Sequence, residues 1–92
     1  MKLIWTAASE EDRLSIFAYI AADNPSAAFD MDQLFEDRAD QLPDFPNLGR
    51  IGQVPGAREL TVHPNYRMIY EVVADEVRIL NVIHAARNWP GD

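Results

Sequence analysis

The stretch VPGARELTVHPNYRMIYEVVADEVRILNVIHAARNWP, Val54 to Pro90, reads as three β-strands in succession joined by short turns. The strands are expected over Ala57–His63, Tyr66–Val73 and Val77–His84. His63-Pro64-Asn65 and Ala74-Asp75-Glu76 supply the turns, since proline and the Asn/Asp residues favour chain reversal. Pro64 has no N–H to give a ladder, which argues against one strand running through it. Links this short make neighbouring antiparallel strands the natural topology. Everything upstream then serves to cover one face of this sheet.

Alternation assigns the faces. Leu60 and Val62 share one face of the first strand, leaving Glu59, Thr61 and His63 on the other. The next two strands are apolar on both faces. Met68, Tyr70 and Val72 stand against Ile69 and Val73, then Val77, Ile79 and Ile83 against Leu80 and Val82. That suits interior strands covered by helices on one side and partly covered on the other.

Ahead of them, Lys2–Trp5 is a short apolar strand for the sheet edge. Ser9 opens a helix with Asp12 three residues on, a variant of the capping box, and the helix ends near Ala22. Leu14, Phe17, Ile20 and Ala21 recur at helical spacing, widened by Ile16 and Tyr19. Asn24 and Pro25 suit the N-cap and first position of a second helix, whose apolar positions run from Ala27/Ala28 to Leu42. Phe17, Leu34 and Phe35 are the leading core anchors of an antiparallel helical hairpin. Asp44 to Gly56 is a loop pinned by Phe45, Leu48, Ile51 and Val54; its GRIG lacks the ending and the helix of a phosphate-binding loop. The order β-α-α-β-β-β specifies an α+β two-layer fold, one helical hairpin on a mainly antiparallel sheet, in a single domain over residues 1–92.

Composition bounds the chemistry. With no cysteine there is neither a disulfide nor a thiolate site, and two histidines far apart in sequence speak against zinc, so no metal or cofactor is expected. No apolar run approaches the roughly 18 residues of a membrane span, and the N-terminus is too soon polar for a signal peptide. A cytoplasmic protein with no membrane partner is the expectation. The net charge of −7 disfavours nucleic acid as a direct partner, because phosphate binding runs on Lys and Arg. All the excess sits upstream: residues 1–49 hold three basic and ten acidic groups, whereas residues 50–92 balance five arginines against five acids. A surface that meets a polyanion is therefore the sheet.

The chain resembles the RelE/ParE superfamily of toxins from type II toxin–antitoxin modules. The resemblance rests on the N-terminal strand ending in Trp5, YIAADNP (Tyr19–Pro25), LPDFPNLGR (Leu42–Arg50), and the two downstream blocks VPGARELTVHPNYRMIYEV and VRILNVIHAARNWP. VPG-x-RE, HPNY and HAARNWP are most similar to the ParE branch. The resemblance implies a small toxin neutralised by a cognate antitoxin, with DNA reached only through that antitoxin. RelE-like and YoeB-like members cut mRNA on the translating ribosome, whereas ParE-like members are associated with DNA gyrase.

By this resemblance Arg67 matches a phosphate-contacting arginine and His84 falls where YoeB-like members keep a catalytic histidine. Glu59 is a possible base by chemistry alone. Against a nuclease, no Glu or Lys occupies the stretch before Arg67 in the nuclease pattern, and Ala85 and Ala86 follow His84 where a Tyr belongs. Arg58, Arg67, Arg78, Arg87 and Trp89 are the candidate contacts to target or antitoxin. Three of them have a plainer role: Arg67 pairing with Glu59 or Glu71, Arg58 anchoring the loop, Trp89 covering the sheet edge. The favoured reading is a ParE-like toxin that binds and inhibits gyrase without catalysis. The alternatives are a ribosome-dependent mRNA endonuclease using Arg67 and His84, and a degenerate toxin that only partners its antitoxin.

Overall fold

The computed structural model describes residues 1–91. Its elements are β1 (Lys2–Trp5), α1 (Ala7–Ala21), α2 (Pro25–Asp40), β2 (Arg50–Ile51), β3 (Ala57–His63), β4 (Tyr66–Val73) and β5 (Glu76–His84). The sheet order is β1-β5-β4-β3-β2, with β1 parallel to β5 and every other pair antiparallel. The two helices pack on one face of this α+β sheet. The long loop contains the short edge strand β2, which the turn-rich composition of residues 44–56 concealed.

The start of α1 lies earlier than Ser9. Thr6 is the N-cap: its Oγ1 accepts the Ser9 N–H at 3.2 Å and donates to the Ile79 carbonyl at 2.6 Å. The β1–β5 ladder stops at Trp5 and Ile79, so one hydroxyl caps the helix and satisfies the carbonyl where pairing ends. Ser9 is buried in the first turn. Asp12 closes no capping box; its Oδ2 accepts the Asn81 side-chain N–H and the Val82 backbone N–H, both at 2.9 Å. These bonds set the rotation of α1, turning Ser9, Ile16 and Ile20 to the sheet and leaving Leu14 and Tyr19 71% and 79% exposed. Asn24 caps α2 as expected, accepting the Ala27 N–H at 3.1 Å.

Two β-bulges redistribute the faces. Tyr70 pairs with Ile79 but Ile69 pairs with Asn81, so Leu80 is an extra residue in β5. Alternation therefore restarts: Val82 joins Val77 and Ile79 under the helices, and Ile83 goes with Leu80 to the other face, the reverse of strict alternation. Thr61 pairs with Arg67 and His63 with Tyr66, so Val62 is extra in β3 and His63 turns to the face of Tyr66. The second hairpin is tighter than the sequence suggested. Ala74 and Asp75 alone make the turn, with Ala74 at φ 55° and Glu76 already in β5.

The main core gathers Phe35, Leu42, Met68, Tyr70, Val77 and Ile79 between the helices and the sheet. Phe35 is 1% exposed, its ring edge-on to Tyr66 at 5.7 Å. Phe17 and Leu34 are only half-buried; Phe17 meets Phe29 of α2 edge-on at 4.9 Å on the outside of the hairpin. Ala57, Ile69 and Ile83 form a smaller cluster on the open face, joined by Val54, Leu80 and Trp89. Of the loop residues expected to pin residues 44–56, only Val54 packs. Phe45, Leu48 and Ile51 are exposed, because polar bonds hold the loop instead: Tyr70 Oη donates to the Pro46 carbonyl at 2.7 Å and accepts the Gly49 N–H at 2.9 Å. No helix among the described residues is long and apolar enough to cross a membrane.

Candidate functional site

On the open face, the registers Arg50↔Glu59 and Glu59↔Ile69 bring β2, β3 and β4 side chains together. Alternation puts Glu59 and Arg67 on this same face. Arg67 donates Nη1–H to Glu59 Oε1 and Nη2–H to the Arg87 carbonyl. Arg50 donates to the same Oε1 at 3.2 Å. Glu59 is 7% exposed and the Arg67 side chain 14%, so the pair is largely withdrawn from water, not the surface bridge that strand spacing alone suggests. Arg67 Nε is buried and has no partner among the described residues. Above the pair lies a cleft of about 420 Å³, lined also by Gln53, Asn88 and Trp89.

The segment after β5 folds back over this face. Trp89 Nε1–H donates to Asn81 Oδ1 at 2.9 Å, while Asn81 Nδ2–H donates to Asp12. A chain of polar bonds thus ties α1, the β5 bulge and the tail. Asn81 was missed by sequence reasoning, although a lone Asn inside VRILNVIH is the signal that a polar link is needed there.

His84 stands elsewhere. It pairs with Tyr66 in register, whereas Arg67 pairs with Ile83, so Arg67 and His84 project from opposite faces. His84 is exposed, its ring 5.6 Å from that of Tyr66, and its Nδ1 accepts the Ala86 N–H at 3.1 Å. It lines a separate cleft of about 410 Å³ with Asp12, Tyr19, Tyr66 and Arg87. Burial, then Tyr19, pushes the Tyr66 phenol up from its ordinary pKa. The structure therefore brings Glu59 and Arg67 together but not His84. A single phosphate between Arg67 and His84 would have to reach both sides of the sheet.

The other candidate contacts are dispersed. Arg58 donates to the Gly49 carbonyl at 2.8 Å and anchors the loop. Tyr70, which holds the same turn, has its phenol pKa raised by burial, and a Cβ at position 49 would collide with its ring at 2.7 Å. Arg78 is exposed and bonds Glu76 at 3.0 Å. Arg87 is exposed near the His84 cleft, and Trp89 is half-buried over the open face. Across the molecule, Arg13 grips Asp32 of α2 through two bonds of 2.8 Å and lies 4.4 Å over the Trp5 ring. The hydrogen bond to Asp32 raises the Arg13 pKa, against the opposing effect of burial. Beside it, Glu10, Leu14 and Phe17 line a groove of about 310 Å³ on the helical hairpin.

Known proteins share this architecture and sequence. The chain is similar to Toxin RelE2 of Caulobacter vibrioides, 35% identical over 86 residues that cover 94% of this chain and 97% of that one. Its fold matches a solved structure described as a chromosomal ParDE TA system from P. aeruginosa, with TM-score 0.82 and 27% identity over 91% of this chain and 95% of the other. A YoeB/ParE toxin from Agrobacterium tumefaciens shares the fold at TM-score 0.65 and 18% identity, over 91% and 98% of the two chains. Residues 3–89 match the family described as ParE toxin of type II toxin-antitoxin system, parDE. With the two-helix layer, the five-stranded sheet and nearly the whole length accounted for, the chain belongs to the ParE toxin family of type II toxin–antitoxin systems, within the RelE/ParE superfamily.

Proposed function

We propose that this toxin acts by binding DNA gyrase and inhibiting it, not by cutting RNA. The family implies a cognate antitoxin that neutralises it. The observation that carries the binding reading is the separation of Arg67 and His84 onto opposite faces, with Arg67 already engaged by Glu59 and the Arg87 carbonyl. RNA cleavage through the 2′-hydroxyl needs a base, an acid and a cation gathered on one phosphate. A protein contact needs only exposed anchors, and the exposed Arg87 beside Trp89 pairs two residue types that dominate interface hot spots. The antitoxin segment that lies on the helical hairpin is basic and amphipathic: residues 1–49 carry −7, and Leu14 and Phe29 stand exposed among those acids.

The test is induction of the toxin with and without its antitoxin, with gyrase supercoiling and cleavage of mRNA on translating ribosomes followed in parallel. Inhibited supercoiling, intact mRNA and an undiminished effect in His84→Gln are expected. Codon-specific cuts that vanish in His84→Gln would replace this reading with the endonuclease.

A further inference from the structure

Glu59 is the only buried carboxylate among the described residues, and just one of its oxygens is used by the protein. Oε1 accepts from both Arg50 and Arg67; Oε2 accepts from none of the described residues. The missing side chain of Gly52 keeps Oε2 within reach of the cleft. A Cβ at position 52 would stand 3.3 Å from Oε2 and 3.0 Å from the Ala57 carbonyl oxygen. Trp89 lines the same cleft, and the Arg50 side chain is 72% exposed at its rim.

These features select a ligand. Two guanidiniums against one carboxylate leave the site with a positive excess, so a cationic side chain or a metal ion is repelled. The unused oxygen calls for an N–H or O–H donor on a neutral group. A half-buried tryptophan favours a flat ring, since base–aromatic stacking is a general mode of single-strand binding. The exposed guanidinium at the rim suits an anion joined to that ring. Guanine meets all three demands: its N1–H and exocyclic amino group lie side by side on one edge. Uracil sets its one N–H between two carbonyls, and adenine and cytosine each set an unprotonated ring nitrogen beside the amino group on the pairing edge, so all three would turn an acceptor toward the carboxylate. We infer that the Glu59–Trp89 cleft binds the guanine base of a nucleotide, free or within a single strand, with the phosphate at Arg50. This site goes beyond the gyrase reading, involves no bond cleavage and stands whichever macromolecule is the target.

The full chain, labelled with ¹⁵N, is titrated with GMP, with UMP, and with short single-stranded RNAs that carry one guanine or uracil in its place. The readout is the two indole N–H signals, because Trp5 lies beneath Arg13 on the helix side and serves as an internal control. Expected is a shift of the Trp89 signal with GMP, none for Trp5, and at least about tenfold weaker UMP binding, the size of one base-edge discrimination. Glu59→Gln should weaken GMP binding about tenfold or more. Where that variant fails to fold, Gly52→Ala decides, because it covers Oε2 without removing a charge. A guanine strand that binds more tightly than GMP assigns the site to a strand; equal affinity assigns it to the free nucleotide. No Trp89 shift with either guanine ligand, equal binding of UMP, or full binding by a folded Gly52→Ala protein overturns the inference.

Discussion

Under the helices, Phe35, Leu42, Met68, Tyr70 and Ile79 meet side chain to side chain, while on the open face Ala57, Ile69 and Ile83 share their surface with the Glu59–Arg67 pair and the segment after β5. The first face stabilises by removing apolar area from water, in proportion to the area buried. The second keeps two charges where apolar side chains would serve stability as well, since replacing a buried ion pair by matched apolar groups is often neutral or stabilising. The pair is therefore weak evidence of a stabilising role by itself. Glu59 and Arg67 hold a carboxylate oxygen at the floor of a cleft and fasten the tail through the Arg87 carbonyl. One face holds the main core, and the other carries the cleft proposed to bind a base.

The largest effect should come from breaking the covered face. Phe35→Ala removes a ring that touches both layers and should cost about 3–5 kcal/mol, against a total for such a domain of about 5–15 kcal/mol. Urea unfolding followed by circular dichroism measures it, and a loss below that of any open-face substitution would undo the contrast between the faces.

A smaller loss is expected from Glu59→Ala, about 2–3 kcal/mol, below the full value for a broken buried pair because the cleft admits water beside Arg67. The double change Glu59→Leu with Arg67→Met should recover most of this, leaving a difference from the unaltered protein of about 1 kcal/mol or less. That recovery in stability should bring no recovery of guanine binding. If the double variant is as unstable as Glu59→Ala, the pair is a structural element after all.

The smallest effect belongs to the tail. Trp89→Ala loses part of a ring's burial and one hydrogen bond to Asn81, about 1–2 kcal/mol together. The melting temperature should drop by a few degrees while the far-ultraviolet spectrum stays native, and gyrase inhibition should fall more than antitoxin affinity does. A protein that unfolds on this change would make the tail part of the core.

Much of this was already legible along the chain. The turns at Pro64-Asn65 and near Ala74, the helix break at Asn24-Pro25 and the alternation of β3 as far as Thr61 are local properties of neighbouring residues, so they survive without knowledge of the fold. The family fragments needed no tertiary information either. The faces of β5 did, because a bulge at Leu80 arises from pairing with β4 and leaves no mark that strict alternation would reveal. The start of α1 at Thr6 and its rotation were likewise decided by bonds to Ile79, Asn81 and Val82, more than 60 residues away. The same holds for the candidate site. That Arg67 would pair with Glu59 could be read from strand spacing, but its burial, the open Oε2 above Gly52 and the placing of His84 on the far face depend on register and on the returning tail. Local propensity selects elements; only the packing of distant elements decides which side chains share a cavity, because that depends on registers no short stretch of sequence contains.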